Sequence, residues 1–135
     1  MRILIVEDDF ISRRLLSRYL VPYGDCDVAI NGEEALIAIE DSLDHSTPYD
    51  LICLDIMMPG LNGQETLEAL RKLESEHTGC PDTAAKVVMT TSLEDNHSIR
   101  QAFHASADGY LLKPIKKQIF VDLLTDLGLV AAVSV

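Results

Sequence analysis

Residues 51–60 read LICLDIMMPG. Leu51 to Leu54 have the make-up of a strand buried on both faces. The run then stops at the carboxylate of Asp55, resumes through Ile56, Met57 and Met58, and turns at Pro59 and Gly60. A lone acid at the lip of a core strand is costly, because partial desolvation disfavours its charged form. Two questions follow: which sheet holds this strand, and what keeps Asp55 at its end.

Four further short apolar runs answer the first: ILIV at 3–6, CDVAI at 26–30, AKVVMT at 85–90 and GYLL at 109–112. Each of the five precedes a segment of helical period. Ile11, Leu15, Leu16, Tyr19 and Leu20 form the first helix face; Ala35, Leu36, Ile39 and Leu43 the second; Leu67, Leu70 and Leu73 the third. Ile99, Ala102 and Phe103 form the fourth, and Ile115, Ile119, Leu123 and Leu127 the fifth, which stops at Gly128. Asn31 and Asn62 each precede a Glu by three residues, Glu34 and Glu65, as in a capping box.

Strand then helix, five times, predicts a parallel sheet covered on both faces, whose right-handed crossovers leave few topologies. The expected fold is a single α/β domain of (βα)5 type. It is a doubly wound, flavodoxin-like sheet of strand order 2-1-3-4-5, over residues 1–128, with a short apolar tail at 129–135. Residues 44–48 and 75–83 are expected to be the long loops.

The chain of 135 residues has 47% apolar content and a formal charge of −11. That length suits one domain, and no run nears the roughly 18 apolar residues of a membrane span. MRILIVEDD lacks the apolar stretch of a secretory signal, so a cytoplasmic protein is expected. Cys26, Cys53 and Cys80 form no Cys-x-x-Cys pair, which predicts reduced thiols. Net acidity argues against direct binding to nucleic acid and suits a divalent cation. His45, His77, His97 and His104 lack the spacing of metal ligands and are expected at the surface, in loops or on the fourth helix. Met57 and Met58 have an ordinary role as packing residues.

In open parallel sheets ligands bind beyond the carboxyl ends of the strands, where strand order reverses. Glu7, Asp8 and Asp9 end the first run, Asp55 the third, Thr90, Thr91 and Ser92 the fourth, and Lys113 the fifth. In the order 2-1-3-4-5 the first and third strands are neighbours, so their acids meet. Crowded carboxylates repel, and Mg²⁺, which takes oxygen ligands, relieves the repulsion. A lysine and a hydroxyl add the donors that a phosphoryl group needs. Asp55 is then a nucleophile or a phosphoryl acceptor. Each acid alone could simply cap a helix, the role expected of Asp9; acid pair, acid, hydroxyl and lysine at four strand ends in chain order are harder to dismiss.

The motifs ILIVEDD, LICLDIMMPGLNG, VVMTTS and DGYLLKP together resemble the receiver domains of two-component response regulators, over Met1 to about Gly128. The resemblance implies a phosphoprotein of two-component or phosphorelay signalling. Asp55 would be phosphorylated by a histidine kinase or phosphotransfer protein. Asp8 would be a direct Mg²⁺ ligand, Glu7 would act largely through water, and the backbone carbonyl of Met57 would complete the protein's ligands. Thr91 would be the switch hydroxyl, Lys113 the contact to the phosphoryl oxygen, and Tyr110 the aromatic that changes rotamer. It also implies a cis peptide at Lys113–Pro114, and assisted phosphotransfer and autodephosphorylation rather than enzyme turnover. Ser92 stands where the family commonly has Ala or Gly, so Thr90, Thr91 and Ser92 compete as hydroxyl donors, with Thr91 preferred. The segment from Glu74 to Ala85 is longer than usual for a loop. A stand-alone, chemotaxis-like receiver is expected. It would signal through a partner protein, or a second copy as a homodimer, at the face of the fourth helix, strand five and fifth helix, which carries His97, Arg100, His104, Lys116 and Lys117. The alternative is a Mg²⁺-dependent phosphatase with an Asp nucleophile, which normally needs a D-x-D that E-D-D does not supply. Nucleotide-binding glycine motifs are absent.

Overall fold

The computed structural model describes residues 1–78, 84–92 and 107–131. Each apolar run forms a strand: β1 (Arg2–Val6), β2 (Asp25–Ala29), β3 (Leu51–Asp55), β4 (Lys86–Thr91) and β5 (Gly109–Leu112). They form one parallel sheet of order β2-β1-β3-β4-β5, as expected. Strand β3 is central and buried at every position, because helices cover both faces. On one face, Leu4, Val6, Ile52, Leu54, Val87 and Met89 pack beneath α2 (Gly32–Asp44) and α3 (Gly63–Thr78), through residues such as Ile39 and Leu70. On the other, Ile3, Ile5, Cys53, Val88 and Leu111 meet Leu16 and Leu20 of α1 (Phe10–Leu20) and Phe120 and Leu124 of the helix Lys117–Asp126.

The helix ends obey the local signals. Asp9 caps α1, its carboxylate accepting from the Ser12 amide at 2.9 Å. Asn31 Oδ1 accepts from the Glu34 amide at 2.8 Å. At α3 the box is reciprocal: the Glu65 amide donates to Asn62 Oδ1 at 2.9 Å, and the Asn62 amide donates to Glu65 Oε1 at 3.2 Å. After Asp126 the chain closes as a Schellman motif. Gly128 has φ +77°, its amide donates to the Thr125 carbonyl, and the Leu129 amide donates to that of Leu124. Leu129 and Val130 then lie against the core.

Four expectations are corrected. Ile11 is 75% exposed and Ile119 55% exposed, so the buried faces of these two helices are set by Leu16 and Leu20, and by Phe120 and Leu124. Residues 75–78 are helical, so the loop expected over 75–83, and the longer stretch from Glu74, is in part the last turn of α3. Leu73 is the last apolar residue of that period, but Glu74 extends the packed face by another route. Its buried carboxylate accepts from the Ala85 amide at 2.7 Å and pairs with Arg71 at 2.8 Å. His77 accordingly sits on α3 rather than in a loop, paired with Asp44 of α2 at 2.8 Å. Met57 is 59% exposed and does not pack, whereas Met58 is buried. The expected fourth helix, with Ile99, Ala102, Phe103, His97, Arg100 and His104, falls outside the described residues, as does Cys80. Cys26 and Cys53 are free thiols, and burial raises the pKa of both.

Candidate functional site

The register puts the predicted residues at one edge of the sheet. Val6 pairs with Leu54, so Glu7 and Asp55 follow side by side on neighbouring strands. Asp55 pairs with Thr90, Thr90 with Leu111, and Thr91 with Leu112. Lys113 follows Leu112, its amide donating to the Thr91 carbonyl, and the Lys113–Pro114 peptide is cis.

From that position the Lys113 ammonium reaches back over the strand ends. It lies 2.9 Å from Glu7 Oε2 and 3.3 Å from Asp55 Oδ2. Glu7 is fully buried and Asp55 is 4% exposed. Asp55 Oδ1 accepts from the Met57 amide at 3.2 Å, and Glu7 Oε1 from the Asp9 amide at 3.2 Å. Arg13 of α1 fixes the loop from beneath, donating to the Glu7 carbonyl at 2.9 Å. Burial, and then the neighbouring Glu7, raise the Asp55 pKa to about 7, against the lowering pull of Lys113. Burial works to lower the Lys113 pKa, but its contacts with Glu7 and Asp55 prevail and raise it. One ammonium between two buried acids leaves the pocket short of positive charge.

Asp8 is exposed beside them, and single carboxylate oxygens of Glu7, Asp8 and Asp55 lie within 4.8 Å of one another. Glu7 Oε2 is buried, with the Lys113 ammonium 2.9 Å away. Three clustered carboxylates beside a single ammonium make an all-oxygen donor set that fits a hard divalent cation such as Mg²⁺. A second cluster, Glu40, Asp44 and His77, is exposed, and within it His77 already pairs with Asp44 at 2.8 Å.

Thr91 is buried, with Oγ1 3.4 Å from the Ser92 carbonyl. It alternates to the same face of β4 as Met89, whose β5 partner is Tyr110. Tyr110 packs on the α2–α3 side of the sheet. Thr90 faces the other way, in the row of Asp55. Sequence reasoning missed two contributors. Glu33 of α2 accepts from the Leu61 amide at 3.1 Å and so ties down the loop after Asp55. Gly63 fits where an added Cβ would lie 2.6 Å from the Asp55 carbonyl oxygen. The glycine was visible in LNG, but its neighbour was not.

The family model of the response regulator receiver domain matches residues 3–125, and the chain belongs to that family. It is 33% identical over 118 residues to the sensor histidine kinase GacS of Pseudomonas protegens, covering 87% of this chain and 12% of the relative. It is 34% identical to the regulatory protein VanRB of Enterococcus faecalis, covering 89% of this chain and 49% of that protein. The chain thus spans half or less of the length of these two relatives. The chemotaxis protein CheY of Halobacterium salinarum is 28% identical, with 93% of this chain and 94% of that one covered. Among solved structures, Vibrio cholerae CheY4 matches with a TM-score of 0.74 at 25% identity, covering 93% and 96% of the two chains. The receiver domain of the Arabidopsis thaliana histidine kinase CKI1, complexed with Mg²⁺ and BeF₃⁻, matches with a TM-score of 0.75 at 22% identity, covering 95% and 88%. Receiver domains are phosphoacceptors of two-component signalling, and the phosphatase alternative is not favoured. No helix among the described residues is long and apolar enough to cross a membrane.

Proposed function

We propose that Asp55 is the phosphoacceptor of this receiver domain and that phosphotransfer to it depends on Mg²⁺. The observation that carries the reading is the buried Asp55 carboxylate held between Glu7 and a bridging Lys113 at 3.3 Å. Such a nucleophile is kept in place by the end of a core strand and needs added cationic charge to act. Glu7, Asp8, Asp55 and the Met57 carbonyl would hold the Mg²⁺, with Glu7 acting largely through water. When bound, the ion neutralises charge on the acids and on the incoming phosphoryl oxygens. The Mg²⁺-bound state of the CKI1 receiver supports this assignment.

The donor is a phosphohistidine of a kinase or phosphotransfer protein. An Asp55 oxygen forms the new P–O bond as the P–N bond breaks. The electron pair leaves on the imidazole nitrogen, which takes up a proton. Lys113 stabilises the negative oxygens of the transferring group, and Thr91 donates to one of them once they are in place. Attack of water at phosphorus reverses the modification, releasing the Asp55 carboxylate and inorganic phosphate. The chain acts as a signalling domain in the cytoplasm that assists its own phosphotransfer and dephosphorylation. Its output passes through protein contact, with a downstream partner or a second copy, at the β5 and Lys117–Asp126 face.

Acetyl phosphate with Mg²⁺ should add one phosphoryl group, read by intact mass and mapped to Asp55. Labelling that survives Asp55→Asn, or that proceeds fully in chelator, overturns the reading.

A further inference from the structure

Strand β4 ends in two adjacent threonines, and the mechanism above uses only the second. Thr90 is 1% exposed, and its Oγ1 is buried with no hydrogen-bond partner among the described residues. Its backbone position is fixed on both sides: it pairs with Asp55 on β3 and with Leu111 on β5, and its carbonyl accepts from the Ile56 amide at 3.0 Å. Paired residues of neighbouring parallel strands carry their side chains to the same face, across a strand spacing of about 4.8 Å. Thr90 therefore stands in the row of Asp55, while Thr91 turns to the face of Met89 and Tyr110.

A buried hydroxyl without a partner destabilises the fold, and valine would fill the same volume without that cost. The unmet donor belongs to the residue paired in register with Asp55, the one side chain whose acceptor capacity changes on modification, since a phosphoryl group brings additional oxygens. We propose that the Thr90 hydroxyl is a second, stationary hydrogen-bond donor to the phosphorylated Asp55. It is a positioning residue that holds the aspartyl phosphate while Thr91 serves as the moving switch. The inference rests on the reading of Asp55 as the phosphoacceptor.

Mg²⁺ with beryllofluoride, which binds an aspartate as a phosphoryl mimic, tests it on the full chain. Affinity is read by ¹⁹F resonance, and unliganded stability by melting. Thr90→Val should be at least as stable as wild type without ligand, because the orphan is gone. It should nevertheless bind beryllofluoride on the order of tenfold more weakly, as expected for a lost hydrogen bond to a charged group. Thr90→Ser, which keeps the hydroxyl, should bind close to wild type. Equal binding by wild type and Thr90→Val overturns the proposal. Equal weakening in Thr90→Val and Thr90→Ser overturns it too, since the methyl rather than the hydroxyl would then matter. If Thr90→Val does not fold, Thr90→Cys, of similar volume and weak as a donor, is judged by the same criteria. Wild-type protein that takes neither beryllofluoride nor a phosphoryl group at Asp55 refutes the function itself and the inference with it. Normal wild-type labelling with an unaffected Thr90→Val refutes the inference alone.

Discussion

At the scale of one residue, Asp55 is a strained choice for a strand end, and its titration makes the strain measurable. Burial and Glu7 raise its pKa from 3.8 to about 7. Between those values the folded chain keeps a proton that the unfolded chain has released. Stability of the metal-free protein therefore falls as pH rises through that window, and stays lower above it. His45 and His77 also have raised pKa values, from backbone contacts with Asp41 and Leu73. They too lose stabilisation as pH rises, but from exposed or half-exposed positions, and a change at Asp55 leaves their contribution in place. Asp55→Asn carries no titrating proton, so the difference between variant and wild type isolates the acid. In chelator at pH 8 the variant should be more stable by on the order of 2 to 4 kcal/mol, since each pKa unit is worth about 1.4 kcal/mol. The gap should close towards pH 4, and Mg²⁺ at pH 8 should narrow it. Denaturant melts at several pH values check this, and a gap that does not vary with pH argues against a desolvated acid.

At the scale of the element, the loop from Asp55 to α3 is held by close backbone approach as much as by hydrogen bonds. A Cβ at Gly63 would lie 2.6 Å from the Asp55 carbonyl oxygen and 2.7 Å from the Ile56 Cα. Both are main-chain atoms at the end of the central strand, so neither can yield cheaply. Gly63→Ala should cost about 2 to 3 kcal/mol, within the range for overpacking, and weaken Mg²⁺ binding by displacing the Met57 segment. Mg²⁺ titration with a melting readout checks it; a variant with wild-type stability and affinity would show that the loop adapts. The strands and both asparagine caps were legible in the sequence because they depend on local period and on neighbours within four residues. The reach of α3 to Thr78 was not, because Glu74 is buried through an amide eleven positions away, at Ala85. The exposed Ile11 and Ile119 misled for a related reason: a helical period marks one face but not its exact angle to the sheet. At the site, chain order and residue type were enough to expect Glu7, Asp8, Asp55 and Lys113 together, and the structure brings them together. The orphaned hydroxyl of Thr90 became visible only with the register.

At the scale of the whole molecule, the two ends of the sheet are built differently, and the proposed phosphorylation of Asp55 should be felt at only one of them. The amino end of β4 and β5 is clamped. The Asp108 carboxylate accepts from the Val87 amide at 2.8 Å and pairs with Arg71 at 3.2 Å, while Arg71 also donates to the Ala85 carbonyl at 2.9 Å. These contacts join α3, β4 and the start of β5 through partly buried charges, whose loss would be costly. At the carboxyl end, by contrast, Lys113 bridges two acids, and beside it an apolar groove of about 440 Å³ runs along Tyr110, Leu112, Pro114 and Ile119. If Thr91 moves towards a phosphoryl group on Asp55 as proposed, that groove offers the Tyr110 ring room to repack, which would convert a charge change into one of two packed arrangements. Amide spectra with and without Mg²⁺ and beryllofluoride should therefore shift from Tyr110 to Ile119 as well as around Asp55, with Ala107 to Gly109 nearly unchanged. Thr91→Ala should keep the Asp55 shifts and lose those at 110–119. Shifts confined to the pocket, or spread equally to the clamped end, would show that this face is not where the signal emerges.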